Sequence, residues 1–213
     1  LSEQRAKPPI RRVGKLPEKP KGKLPTGDPA MIFQVLTEEQ LSPELAALKP
    51  KYLYVPLTLM AEKLDLLRPF AEQGTIPVAV LPRVIADNEA AAVYDMLSRM
   101  FDQGVNEALV GNLGHAMLAK KAGMKLRGDF GLNTFNSLSM EVIRQAGFIS
   151  ATASFELRLS QIRDMIKPLD TELIIYGRIP LMVSDQCIIR HSAGRCNCQT
   201  PGQMADRMGS VFP

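Results

Sequence analysis

The chain has 213 residues, 46% of them hydrophobic and 23% charged, with 15 Gly, 16 Pro, 3 Cys, 2 His and no Trp. These figures exclude a collagen-like, disulfide-rich or wholly disordered chain and leave room for one sizeable core. The net charge of +4 is uneven, because residues 1–28 hold eight basic groups against Glu3, Glu18 and Asp28, leaving that stretch at +5 and the remainder at −1.

The first 28 residues also carry Pro8, Pro9, Pro17, Pro20 and Pro25. A basic, Pro-rich segment of this kind predicts a solvated linker to other modules of a longer chain, with residues 29–213 as one domain. Position 1 is Leu rather than Met, which adds to the expectation of a piece of something longer. No apolar run approaches the roughly 20 residues of a membrane span, so no membrane partner is expected. Three cysteines crowded near the C-terminus do not form a secreted disulfide framework, and a reducing cytoplasm is the expected compartment. The body lacks a basic excess, so DNA is not an expected partner.

From Met31 onward, short β-rich runs alternate with amphipathic stretches. Strands are predicted at 32–36, 52–57, 78–81, 107–110, 125–128, 149–153 and 172–176. Helices are predicted at 38–48, 60–73, 88–101, 115–122, 137–146 and 159–169. Gly74, Gly104, Gly123 and Gly147 each follow the last periodic residue of a helix, where a left-handed cap favours glycine. Strand–helix alternation implies parallel pairing through right-handed crossovers. A closed (β/α)₈ barrel needs eight strands and about 250 residues. The fold class read here is therefore α/β, a TIM-barrel-like array of about seven β/α units forming an incomplete barrel. An open doubly wound sheet is the rival, but no strand leads into a G-x-G-x-x-G or G-x-x-x-x-G-K-[ST] loop. A barrel without its closing strand exposes sheet edge, which predicts self-association.

In such a barrel the chemistry sits on residues just after each strand. Those positions hold Gln34, Pro56, Arg83, Asn112, Gly114, His115, Asp129, Asn133, Asn136, Glu156 and Arg178. Three stretches stand out. Gly111-Asn-Leu-Gly-His115 is a tight strand-to-helix turn, in which His115 can act as acid, base or ligand, or simply hold a helix start. Gly128-Asp-Phe-Gly-Leu-Asn-Thr-Phe-Asn136 sets a carboxylate and two amides within a few residues, with Asn133 and Ser137 as candidate caps of the next helix. Cys187, Cys196 and Cys198 gather with His191 in a loop over 184–200. Soft-metal ligation, inert thiols and a Cys187/His191 nucleophile pair all fit that loop. Peptidase chemistry of the usual kinds lacks its signatures, since neither H-E-x-x-H nor G-x-S-x-G occurs.

The run 128–137, then Ser154-Phe-Glu-Leu157, then Glu172-Leu-Ile-Ile-Tyr-Gly-Arg-Ile-Pro-Leu-Met-Val-Ser-Asp-Gln-Cys187 resembles the collagenase-like U32 peptidase family over about residues 31–213. The resemblance implies a barrel-like fold and a hydrolase acting on peptides. Asp129 or Glu156 would then be the general base, Arg178 a holder of a carboxylate or oxyanion, and His115 a further catalytic candidate. Arg83, Asn112, Asn133 and Asn136 would bind substrate. Other members of the family support hydroxylation of RNA or of small molecules, several with a four-iron, four-sulfur (4Fe-4S) cluster on four cysteines. In that pattern Cys187 stands at the second ligand position and Cys196 or Cys198 at the third, while Pro180 occupies the first and Tyr176-Gly177 replaces a His-Gly. The resemblance thus leaves two enzymatic expectations, peptide hydrolysis or cluster-dependent hydroxylation with an RNA or small-molecule substrate, and zinc as the other metal for the thiols. A non-catalytic scaffold is the third.

Overall fold

The computed structural model describes residues 28–180, 183, 187–195 and 204–212. The basic segment up to residue 27, together with Cys196 and Cys198, lies outside them. Seven strands form one sheet: β1 (Ile32–Gln34), β2 (Tyr52–Pro56), β3 (Ile76–Val80), β4 (Glu107–Val110), β5 (Lys125–Gly128), β6 (Phe148–Thr152) and β7 (Asp170–Glu172). They lie side by side in chain order, and every neighbouring pair is parallel. Sequential order with parallel pairing requires a crossover after each strand on the same side, which is the arrangement of a barrel rather than of a doubly wound sheet. A separate hairpin joins β8 (Met204–Ala205) to β9 (Val211–Phe212).

Alternation along the strands sorts the side chains into two layers. Leu53, Val55, Ala79, Ala108, Val110 and Leu126 face the helices and pack with Met60, Leu97 and Met140 in the main core. The helix Ala90–Asp102 shows why it docks there. Its buried residues Val93, Leu97 and Met100 recur at the spacing of one helical face. On the opposite face of the sheet, Ile32, Tyr52, Tyr54, Val78, Val80 and Leu109 make a second cluster.

That second face is concave. The hydroxyl of Tyr54 on β2 donates to Oε2 of Glu172 on β7 at 2.7 Å. In a flat sheet those strands would stand five spacings apart, about 24 Å at roughly 4.8 Å per strand, far beyond side-chain reach. The sheet therefore curls into most of a barrel, an α/β TIM-barrel-like fold of seven β/α units.

Several predicted boundaries shift for physical reasons. Strands β4 and β5 match the prediction. The predicted helix 60–73 divides into α-helical Leu57–Glu62, a 3-10 turn Leu64–Leu67 and α-helical Arg68–Ala71. Lys63 leaves helical geometry at φ −132° and Pro69 restarts it within the first turn. Similarly, Ser42 caps a fresh helix beginning at Pro43, so the predicted helix 38–48 is two short pieces. The last strand runs from Asp170 to Glu172, earlier than the predicted 172–176. The four glycines expected as helix stops all adopt positive φ, between +84° and +93°.

Candidate active site

The ends of β3, β4 and β5 open onto one shallow depression of about 340 Å³ at the C-terminal mouth of the barrel. Arg83, Gly111, Asn112, Gly131 and Leu132 line it. Asp129, the residue following β5, is buried beside it. Its Oδ1 accepts the Phe130 N–H at 2.8 Å, and it caps the 3-10 turn Phe130–Leu132. Burial raises the proton affinity of this carboxyl above the ordinary aspartate value, and the charge of Glu172 adds to the rise. The Phe130 N–H and the nearby Arg83 pull the other way without cancelling it.

Arg83 is held by shape. Its guanidinium carbon lies 4.9 Å from the centre of the Phe130 ring, and that ring meets Phe155 edge-on at 5.8 Å. Two glycines make the space. A Cβ on Gly131 would stand 2.5 Å from the Gly111 carbonyl oxygen and 2.8 Å from the Arg83 guanidinium carbon. A Cβ on Gly111 would stand 3.0 Å from Arg83 Cδ and 3.3 Å from Asp129 Oδ2. Neither glycine has a positive φ, so close approach rather than backbone freedom excludes a side chain at both.

The remaining predicted residues fall into different positions. Half-buried His115 closes a 3-10 turn and starts the next helix. Burial lowers its proton affinity against a smaller opposing pull from the Pro82 carbonyl, so the ring is a neutral imidazole at pH 7. Its Nδ1 is buried without a hydrogen bond of adequate geometry among the described residues. Asn112 spends its side-chain oxygen on the Gly114 N–H at 3.0 Å. Asn133 is exposed in a left-handed conformation at φ +49°. The cap of the helix Ser137–Gln145 is Asn136, not Asn133 or Ser137: its oxygen accepts from the Leu138 and Ser139 N–H groups at 3.0 and 2.9 Å. Ser137 instead accepts the Ile166 N–H at 2.9 Å. Glu156 and Arg178 are exposed, and no hydrogen bond or ion pair among the described residues joins either to Asp129. Arg83 and Asn112 are therefore the predicted residues that line the depression, with Asp129 buried next to it.

Cys187 is exposed at the start of the helix Ile188–Ala193, where its sulfur accepts the Arg190 N–H at 3.4 Å. Among the described residues no group of three or more His, Cys, Asp or Glu gathers to hold a metal. Cys187 is the described thiol of the predicted set, and Cys196 and Cys198 lie outside the described residues.

Beneath Asp129, the barrel interior holds a charged layer that the strand-end reading missed. Arg127 Nε donates to Glu107 Oε2 at 2.6 Å, and its Nη1 donates to Glu172 Oε1 at 2.7 Å and to Ser150 Oγ at 3.0 Å. Ser150 donates to the same Glu172 oxygen at 2.6 Å. The guanidinium also lies 3.6 Å from the centre of the Tyr52 ring. Burial pulls the Arg127 proton affinity down, but the carboxylates of Glu107 and Glu172 oppose it, and the group stays charged. Burial and Glu172 raise Tyr54 well above the usual phenol range, so its hydroxyl stays a neutral donor. The signal was present in the sequence: Glu107, Arg127 and Glu172 are charges inside strands that a parallel sheet buries on both faces, and such charges need partners within the barrel.

Residues 62–204 match the family described as Peptidase family U32. Among solved structures, the U32 peptidase Mk0906 is 13% identical with a TM-score of 0.50, and the alignment covers 72% of this chain and 71% of that one. The tryptophan synthase alpha chain from Legionella pneumophila subsp. pneumophila aligns at 15% identity and a TM-score of 0.43, covering 68% of this chain and 70% of that one. No curated protein matches the chain in sequence. At 13% identity the likeness to Mk0906 speaks to the fold alone, whereas the family match spans more than half of the sequence. The chain belongs to peptidase family U32.

Proposed function

We propose that this chain hydrolyses peptides, with Asp129 as the proton-transferring group at the barrel mouth. The observation that carries the reading is a buried carboxyl with raised proton affinity, set at a strand end where barrel enzymes keep their chemistry. In that role ionised Asp129 accepts a proton from water as the water oxygen bonds to the peptide carbonyl carbon. It returns the proton to the leaving nitrogen as the C–N bond breaks, which yields a carboxyl product and an amine. Burial serves the second step, because a carboxyl of raised proton affinity is a weaker acid and holds its proton until the amine takes it. Family membership supports the reaction class.

Asp129→Asn keeps the oxygen that caps Phe130 and removes the exchangeable proton. On a mixed peptide library, the full chain carrying Asp129→Asn should lose about 10²-fold or more in kcat/KM, the scale of one general acid–base group. The acidic limb of the wild-type pH profile should fall above the ordinary aspartate value, following the direction of the shift. Unchanged turnover in Asp129→Asn would overturn the assignment. Glu156→Gln, at an exposed residue outside the depression, should change kcat/KM by less than about tenfold.

A further inference from the structure

We infer that Arg83 receives a carboxylate of the substrate in the depression between the ends of β3, β4 and β5. This deepens, and rests on, the reading of the site as a peptide hydrolase. Guanidinium groups carry five N–H donors in a planar fork that matches a carboxylate. Among the described residues, no acceptor takes a hydrogen bond from Arg83, and no carboxylate lies within 4.0 Å of it. By contrast, the other half-buried or buried arginine of the barrel, Arg127, is fully engaged by Glu107, Glu172 and Ser150.

Nor is Arg83 a loose surface side chain. The Phe130 ring supports one face of the guanidinium, and Gly111 and Gly131 clear the space through which the side chain runs. Stacking and close packing fix its direction before any ligand arrives, which lowers the ordering cost of binding. Arg83 lines the depression together with Asn112 and Leu113.

The neighbouring charge narrows the ligand. A Cβ on Gly111 would stand 3.0 Å from Arg83 Cδ and 3.3 Å from Asp129 Oδ2, so the two side chains flank the same point, and the Arg83 charge acts on the Asp129 carboxyl. A dianionic phosphate would meet the Asp129 carboxylate at close quarters, while a singly charged carboxylate pairs with the fork and adds less repulsion. With Asp129 moving the proton, the scissile bond lies near the bound carboxylate. The substrate class is then a peptide carrying a carboxylate beside the cleaved bond, either its own C-terminus or an acidic side chain.

Binding can be read without turnover. Short N-acetylated peptides would be titrated by calorimetry into the full chain, wild type and Asp129→Asn, as the free acid, the C-terminal amide, and the amide with a terminal Glu. The free acid or the Glu amide should bind at least about tenfold tighter than the neutral amide, and the stronger of the two identifies the source of the carboxylate. Arg83→Gln should reduce that ligand to the affinity of the neutral amide, and Arg83→Lys should restore only part, since an ammonium lacks the fork. Gly131→Ala, which displaces the guanidinium without removing it, should weaken the same ligand. Equal affinity for acid and amide, no effect of Arg83→Gln in a protein that unfolds like wild type, or tighter binding of inorganic phosphate would overturn the inference. Arg83-dependent carboxylate binding without hydrolysis of any peptide would retain this inference and overturn the catalytic reading.

Discussion

Asp129 shows what burying a carboxyl costs a fold at neutral pH. Its folded-state proton affinity is raised, with burial as the largest cause, so folding favours the protonated form. Stability from this group is therefore fully present below the unfolded aspartate value and is lost as pH rises through the folded one. Asp129→Asn removes that penalty while keeping the Phe130 cap. The variant should be more stable than wild type at pH 7 in urea unfolding, and the gap should close as the pH falls below the ordinary aspartate range. A variant less stable at pH 7 would mean that the ionised carboxylate is stabilised where it lies, against the direction derived from its burial. The sequence pointed to Asp129 because a carboxylate between two glycines at a strand end has few structural reasons to be there. It did not reveal that Arg83 is the cation beside it, since the pairing depends on Gly111 and Gly131 approaching from two separate loops.

Strand β5 and the residue after it carry both levels of the interior, Arg127 within the strand and Asp129 two residues on, just past its end. This spacing joins the charged layer and the mouth along one stretch of chain. Arg127 separates two buried carboxylates, Glu107 and Glu172, and is their common cation. Arg127→Met would leave both acids buried without it, a loss of about 3–5 kcal/mol in unfolding free energy. A change below about 1 kcal/mol would mean that water reaches the layer and already screens it. At this scale the element types were legible wherever one period dominates: β4 and β5 stand where the alternation placed them. The helices predicted at 88–101, 115–122 and 137–146 also stand within two residues of Ala90–Asp102, Ala116–Lys121 and Ser137–Gln145. The stretches 38–48 and 60–73 were not legible as broken, because apolar spacing alone does not register a restart at Pro43 or Pro69. The layer itself was hidden for a further reason. Arg127 and Glu107 belong to adjacent strands, but Tyr54 and Glu172 meet only after the sheet has curled.

Curling is the property on which the whole arrangement depends, and it leaves two edges. Among the described residues β1 and β7 each pair on one side, while Tyr54 and Glu172 join β2 to β7 across the interior. Beyond β7 no described residue extends the ladder. Leu173, Ile174, Ile175 and Tyr176 follow it with Ile175 88% and Tyr176 97% exposed. An apolar run beside an unpaired parallel edge supplies what another strand needs, both backbone hydrogen-bonding groups and a surface to bury. The polar layer opposes opening of the curl, because Glu172 is fixed from three sides by Tyr54, Ser150 and Arg127. Association should therefore proceed by addition at the edge with the interior intact. Sedimentation of the chain over a range of concentrations should show self-association that Ile175→Lys combined with Tyr176→Lys abolishes, with unfolding free energy unchanged within about 0.5 kcal/mol, as expected for exposed positions. A monomer at every concentration would show that this edge is covered. Association that survived the double substitution would place the contact elsewhere on the surface.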